Sequence, residues 1–272
     1  MKLTAKLKGK LEKIESLLKN KRVIVAFSGG IDSTLLAFLS DLYAKETLLI
    51  TASSSLFSDE DLQDAAQFSK THNISHKILE IDPLMVQEFC DNPKDRCYIC
   101  KNVIFSQFVD LQRELGYDMI IEGSNISDLG DYRPGYEAIK ELGVKTPYIE
   151  ARINKENIIK LSRYFDLEAQ DKPANACFAS RITYGISINE TLLQKIKEAE
   201  NFLKTQFKTE QVRVRFHEDD LVRIEFIEKD LFRILTKPNI KCIIEKFKKI
   251  GFKFITIDLE GYRKSGLIFM EK

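Results

Sequence analysis

The sequence predicts an α/β fold: a mostly parallel sheet with helices on both faces, followed by a smaller α+β C-terminal domain. Three observations lead there. Short apolar runs alternate with amphipathic helical stretches through the first half. From Asn189 onward the pattern changes to strictly alternating strands with helices grouped around them. Between the two lies a stretch rich in small residues, 171–186, holding Pro173, Cys177, Arg181 and Gly185. It reads as an interdomain loop, with a boundary between 1–185 and 186–272.

Leu3, Leu7, Leu11, Ile14, Leu17 and Leu18 recur at helical spacing, so the first twenty residues or so form an amphipathic helix packed on the main domain. Strands follow at 23–27, 48–51, 77–81 and 119–121, with helices at 33–44, 59–70 and 101–115 between them. In the second part a helix at 189–205 leads to strands at 212–216 and 221–227, joined by the polar turn His217-Glu218-Asp219-Asp220. Helices at 229–235 and 240–250 and strands near 253–258 and 267–270 complete it.

Composition bounds the function. The chain has 272 residues, 44% hydrophobic and 31% charged, with a formal net charge of +1. That balance argues against a dedicated nucleic-acid coat or a membrane-surface binder. The charge divides mildly, −3 up to Gly185 and +4 after it, which suits a small anionic ligand. No segment is apolar enough for a membrane span, and the lysine-containing N-terminus has no signal-peptide core. Five unevenly spaced cysteines do not make an extracellular disulfide framework. A cytoplasmic protein is expected, with no membrane or nucleic-acid partner.

The stretch VIVAFSGGIDST, residues 23–34, carries the first chemistry. A buried strand runs into Ser28, Gly29 and Gly30, and a helix opens with Asp32 and Ser33. In open α/β sheets ligands bind beyond the carboxyl ends of the strands. Two glycines let the backbone turn tightly and present its amides to an anion, and the following helix adds free amide donors. An acid in a phosphate site is reasonable if Asp32 holds Mg²⁺ shared with the phosphates. No Gly-Lys-Ser/Thr follows, so this is not a Walker loop. Glu122, Ser124, Asn125 and Asp128 also follow a strand, which places them at the same sheet edge for phosphate or Mg²⁺ contacts.

The loop matches the pyrophosphate (PP) loop of the ATP pyrophosphatase superfamily, whose fold is adenine nucleotide alpha hydrolase-like. Three further stretches narrow the resemblance: Asp95-Arg96-Cys97-Tyr98-Ile99-Cys100-Lys101, the run from Ile121 to Gly135, and the run from Asp171 to Gly185. With Val212-Arg213-Val214-Arg215 and Asp258-Leu259-Glu260-Gly261-Tyr262-Arg263, the sequence resembles the LarE family of ATP-dependent sulfur transferases over nearly its whole length. One departure is plain, because Lys264-Ser265-Gly266-Leu267-Ile268 replaces the family's usual Ser/Thr-Gly-Ser-Met-Asn.

The resemblance implies an enzyme that adenylates a carboxylate of pyridinium-3,5-biscarboxylate mononucleotide, releases AMP and pyrophosphate, and replaces oxygen with sulfur in nickel-pincer cofactor synthesis. It implies ATP and Mg²⁺ as cofactors, a nucleotide substrate, a sulfur donor or desulfurase as partner, and a homo-oligomer. In one branch the cysteine at the position of Cys177 gives up its own sulfur. Another branch carries three cysteines, here Cys97, Cys100 and Cys177, on a [4Fe-4S] cluster with one open iron that carries an extra sulfide. The cluster reading is the expectation here, with sacrificial donation from Cys177 as alternative. By themselves Cys97 and Cys100 could equally be a redox pair, half a zinc site or unremarkable thiols.

Ser180 and Arg181 match the family beside Cys177, where Arg181 could orient or neutralise the adenylate. Arg213 and Arg215 share one face of a strand, as do Arg223 and Glu225 on its hairpin partner. Periodicity alone reads that face as solvated. The resemblance instead assigns Arg213 and Arg215 to the substrate's phosphate, with Glu200 and Glu225 near substrate or a metal. Asp230 is a weaker candidate of the same kind. His72, His76 and His217 have no partners at ligand spacing and read as surface residues, and Cys90 and Cys242 as incidental thiols. Two other functions use the same features: a cluster-dependent tRNA thiolase, and a non-catalytic nucleotide-binding cluster carrier.

Overall fold

The structure, a computed structural model, describes residues 3–129, 134–167 and 176–263. In chain order its elements are α1 (Ala5–Leu18), β1 (Arg22–Ala26), α2 (Ile31–Tyr43), β2 (Glu46–Ser53), α3 (Asp59–Thr71), β3 (Ser75–Glu80) and α4 (Gln87–Cys90). There follow α5 (Arg96–Leu115), β4 (Met119–Ile121), α6 (Pro134–Glu141), α7 (Pro147–Glu150), α8 (Lys155–Tyr164) and α9 (Glu190–Phe207). The described residues then continue with β5 (Val212–His217), β6 (Leu221–Phe226), α10 (Glu228–Ile234), α11 (Lys237–Ile250) and β7 (Phe254–Ile257). The strand expected near 267–270 lies outside the described residues, as do residues 130–133 and 171–175 of the motif runs and the divergent tail 264–268.

Two compact units emerge. The first takes the chain up to Pro83 and again from Asp95; the second takes Leu84–Lys94 and the chain from Ala176 on. The sequence reading put the boundary after Gly185. The difference has a cause in Asn92, which is fully buried and uses the left-handed backbone that asparagine tolerates (φ 62° at Asn20, 57° here). Its Nδ2 donates to the carbonyls of Thr183 and Ile186, both at 2.8 Å. The Gly185 amide donates back to the Asn92 carbonyl at 3.0 Å. The Cys177 segment is thereby tied to Leu84–Lys94.

In the first unit four strands pair in parallel in the order β3-β2-β1-β4. Val23, Val25, Leu49 and Ile121 face one core with Leu7, Leu11, Leu35, Leu39 and Ile158 of the helices. Their neighbours Ile24, Leu48, Ile50 and Ile120 face another with Ile104, Phe105, Phe108 and Ile139. A sheet buried on both faces needs apolar residues at successive positions, which is why these strands read as continuous runs. Helix α1 begins where Thr4 Oγ1 accepts the Leu7 amide at 3.3 Å, and it buries Leu7, Leu11, Ile14 and Leu18. Helix α5 starts five residues before the expected position, so Cys97 and Cys100 lie within its first two turns.

In the second unit β5 and β6 pair antiparallel and β7 joins β6 in parallel, the crossover running through α10 and α11. The β5–β6 turn uses positive φ at Asp219 and Asp220. Helix α9 covers β5, and α11 packs on α9. Residues Val212 to Phe216 are all buried, so the arginine face of β5 is not solvated as periodicity alone would have it. Among the described residues no helix is long and apolar enough to cross a membrane.

Candidate functional site

The turn after β1 is built for a close approach. Gly29 sits at φ +74°, and a Cβ there would lie 3.1 Å from the Asp61 carbonyl oxygen. Ser33 Oγ accepts the Ser28 amide at 3.2 Å and donates to the Gly30 carbonyl at 3.0 Å, while Thr34 Oγ1 donates to the Gly29 carbonyl at 3.3 Å. These buried hydroxyls hold the shape of the loop rather than pointing away from it. Gly30 is the N-cap of α2, and among the described residues no side chain caps that helix. Its first amides are therefore left for an anion, at the positive end of the helix dipole.

Asp32 stands in the first turn of α2. Its Oδ2 accepts from Lys155 Nζ at 2.6 Å. Its Oδ1 is buried with no hydrogen-bond partner among the described residues, an arrangement that ordinarily calls for an ion or water. Burial pushes the Asp32 carboxyl above the ordinary carboxylate range, Lys155 pulls it back, and nearby Asp128 adds to the rise. The main chain at Asp32 is also held, because Tyr148 Oη donates to its carbonyl at 3.0 Å.

The second loop arrives at the same place. A Cβ on Gly123 would lie 3.2 Å from both the Asp32 carbonyl carbon and the Ser33 nitrogen, a tight contact, so glycine lets residues 122–125 close on the start of α2 without a shift. The Glu122 carboxylate accepts the Ser124 amide at 2.9 Å. Asn125 and Asp128 form a capping box around a single 3-10 turn, Ile126–Asp128. Of the residues expected to contact phosphate or Mg²⁺, Ser28, Gly29, Gly30, Asp32 and Ser33 form the loop itself, and Gly123 brings the 122–128 loop against it. Glu122, Asn125 and Asp128 spend hydrogen bonds on shaping their own loop. The sequence reading missed Tyr148 and Lys155, both of which contact Asp32.

Cys97 is exposed and Cys100 half-buried, one helical turn apart at the amino end of α5. The amino end of a helix favours anionic groups. A Cβ on Gly135 would stand 3.2 Å from the Cys97 carbonyl oxygen, so glycine is what lets the start of α6 approach this turn. Two thiols at this spacing suit a soft metal centre. Among the described residues no group of three or more His, Cys, Asp or Glu side chains is arranged to hold a metal ion.

Cys177 belongs to the second unit, half-buried at the head of the 3-10 turn Phe178–Arg181. Arg181, 2% exposed, holds that turn from inside. Its Nη1 donates to the carbonyls of Ala176 (2.5 Å) and Cys177 (3.0 Å) and to Ser180 Oγ (3.1 Å). Its Nε and Nη2 pair with the two oxygens of Glu200 at 3.0 and 3.1 Å. Glu200 Oε1 also accepts the Val214 amide at 2.9 Å, fastening α9 to β5. Arg215 reaches from β5 to the Ser180 carbonyl at 3.0 Å and grips Glu225 Oε2 through Nε and Nη2. Arg223 takes Glu225 Oε1 at 3.1 Å.

Arg181, Glu200, Arg215 and Glu225 are thus one buried network around the Cys177 turn. Arg213 lies 3% exposed beside it, its guanidinium 5.4 Å from the Tyr262 ring centre. Burial, and after it Arg181, lowers the Arg213 pKa, though guanidinium stays charged. Asp230 is held by Thr209 and Arg233 elsewhere in the unit. His76 is half-buried and bonded to Thr51 and Ser69 rather than at the surface, and His217 meets Thr183.

Comparison with known proteins adds three relatives and one family. A family model described as NAD synthase matches residues 2–101. An uncharacterized protein of Synechocystis sp. is 35% identical over 263 residues, spanning 96% of this chain and 97% of its own. An uncharacterized protein of Methanocaldococcus jannaschii is 34% identical over 250 residues, 92% of this chain and 94% of its own. The pyridinium-3,5-bisthiocarboxylic acid mononucleotide synthase of Lactiplantibacillus plantarum is 30% identical over 253 residues, 92% of this chain and 90% of its own.

Proposed function

The chain belongs to the LarE family, that of pyridinium-3,5-bisthiocarboxylic acid mononucleotide synthase, and from that premise we propose that it adenylates pyridinium-3,5-biscarboxylate mononucleotide and replaces a carboxylate oxygen with sulfur. It is an ATP-dependent sulfurtransferase of the PP-loop superfamily. The observation that carries the reading is the start of α2, where amides with no side-chain cap and an Asp32 oxygen with no partner among the described residues stand together. Amides suit the phosphates of ATP, and Asp32 suits their magnesium.

A carboxylate is a poor electrophile. Attack of its oxygen on the α-phosphorus expels pyrophosphate and leaves an acyl adenylate, from which AMP departs when sulfur attacks the carbonyl carbon. The α2 amides would hold the departing pyrophosphate, and Asp32 would hold magnesium, which when bound offsets the charge of the phosphates. In the second unit Arg213 is buried beside Arg181 and Glu200, and the planar fork and fixed charge of a guanidinium suit the substrate's phosphate. Arg181 and Arg215 hold the main chain around Cys177 instead, so their part is to position that thiol.

Cys97, Cys100 and Cys177 would hold the iron–sulfur cluster. The donor chemistry fits, since three thiols are the ligands such a cluster takes when one iron stays open. When bound, the cluster would supply the sulfide and spare the protein's own sulfur. Without it, Cys177 is the donor. The reading is tested by release of pyrophosphate from ATP with and without pyridinium-3,5-biscarboxylate mononucleotide. Release that depends on this substrate and vanishes in Asp32→Asn is expected; release indifferent to it overturns the proposal.

A further inference from the structure

Lys155 is in the wrong place for an ordinary surface lysine. It is the first residue of α8, after the N-cap Asn154, where the helix dipole disfavours a cation. Its amide is fixed to Ser127 Oγ at 3.2 Å, which ties it to the 3-10 turn of the second loop. Its ammonium spans to α2 and takes one oxygen of Asp32 at 2.6 Å. The other oxygen of that carboxylate is buried and without a partner among the described residues. The amino ends of α2 and α8 therefore meet at one carboxylate, half satisfied by a cation that belongs to the chain.

We propose that the Lys155 ammonium is an internal place-holder for the nucleotide's magnesium, neutralising Asp32 before ATP binds and turning to the phosphates when it does. This rests on the reading of the loop as an ATP site. The physical consequence is conditional metal binding. An ion arriving alone must displace Lys155, whose charge then has no counter-charge, so its apparent affinity falls by the fraction of molecules in which Asp32 is released. An ion arriving with a triphosphate brings a new partner for the lysine and meets no such penalty. Side-chain exposures of 38% for Lys155 and 32% for Asp32 leave both groups room for the exchange.

The test titrates Mn²⁺ into the full-length protein by electron paramagnetic resonance, alone and with a non-hydrolysable ATP analogue. Wild type, Lys155→Met, Lys155→Gln and Lys155→Arg are compared after circular dichroism has verified their folding. The wild type is expected to bind Mn²⁺ weakly alone and much more tightly with the analogue. Lys155→Met and Lys155→Gln should bind Mn²⁺ alone about tenfold more tightly and the analogue more weakly, with Lys155→Arg close to wild type. Unchanged affinity for Mn²⁺ alone in both neutral variants, with the analogue effect intact, overturns the role of Lys155 only. Absence of any analogue effect in the wild type overturns the ATP site itself.

Discussion

Gly123 has no side chain, yet it governs how two loops meet. The 3.2 Å separation between an added Cβ and the start of α2 is tighter than most packed contacts, so alanine there needs Asp32 and Ser33 to give by a few tenths of an ångström. Gly123→Ala is expected to weaken binding of an ATP analogue by about tenfold to a hundredfold, the usual penalty for a small misplacement of binding groups. Isothermal titration would measure it, with circular dichroism unchanged. Gly29, Gly30 and Asp32 were legible in the sequence because strand, turn and helix run consecutively there. Lys155 was not, because 123 residues separate it from Asp32 and a lysine among polar neighbours looks like a solvated charge. Its one signal was position: a cation just after an N-cap asparagine runs against the helix dipole.

Among the elements, β5 repeats the lesson on a larger scale. Alternation of valine and arginine predicts a strand with one wet face, and the strand is there. Its wet face is absent because α9 and the Phe178–Arg181 turn lie against it, and alternation along one strand carries no information about what covers it. Arg181 and Glu200 are each 2% exposed, so removing one partner strands a buried charge. Arg181→Ala and Glu200→Gln are each expected to lower unfolding free energy by about 3–5 kcal/mol, measured by urea denaturation. Arg181→Lys keeps the charge but not the fork, and alkylation of Cys177 should be faster in it than in wild type. The sheet of the first unit makes a separate prediction. Burial lowers the pKa of His76 below its ordinary 6.5, so below that pH the unfolded chain takes up a proton that the folded chain refuses. Stability should fall as pH drops through about 6.5 and level off below the folded pKa. His76→Gln should flatten that slope in thermal melts, leaving the share of His217, whose pKa burial also lowers.

For the whole molecule, the residues of the proposed chemistry fall in two units: those of the loop after β1 with Cys97 and Cys100 in the first, Cys177 and the arginine network around its turn in the second. The motifs were readable because each is a short string; the grouping of Leu84–Lys94 with the second unit was not, because it depends on Asn92 bonding to a segment about ninety residues further on. The sulfur source makes the first prediction at this scale. Protein purified without oxygen should carry about four irons per chain, lost in Cys97→Ala. Absence of iron and zinc after reconstitution would make Cys177 the donor, visible as loss of its sulfur after one turnover. The most direct test of the account supplies ATP, magnesium and pyridinium-3,5-biscarboxylate mononucleotide to the anaerobic protein and follows the mononucleotide by mass spectrometry. Sulfur should replace oxygen in step with AMP release, and both should disappear in Asp32→Asn. A mononucleotide that leaves unchanged, whether or not ATP is consumed, would contradict the account.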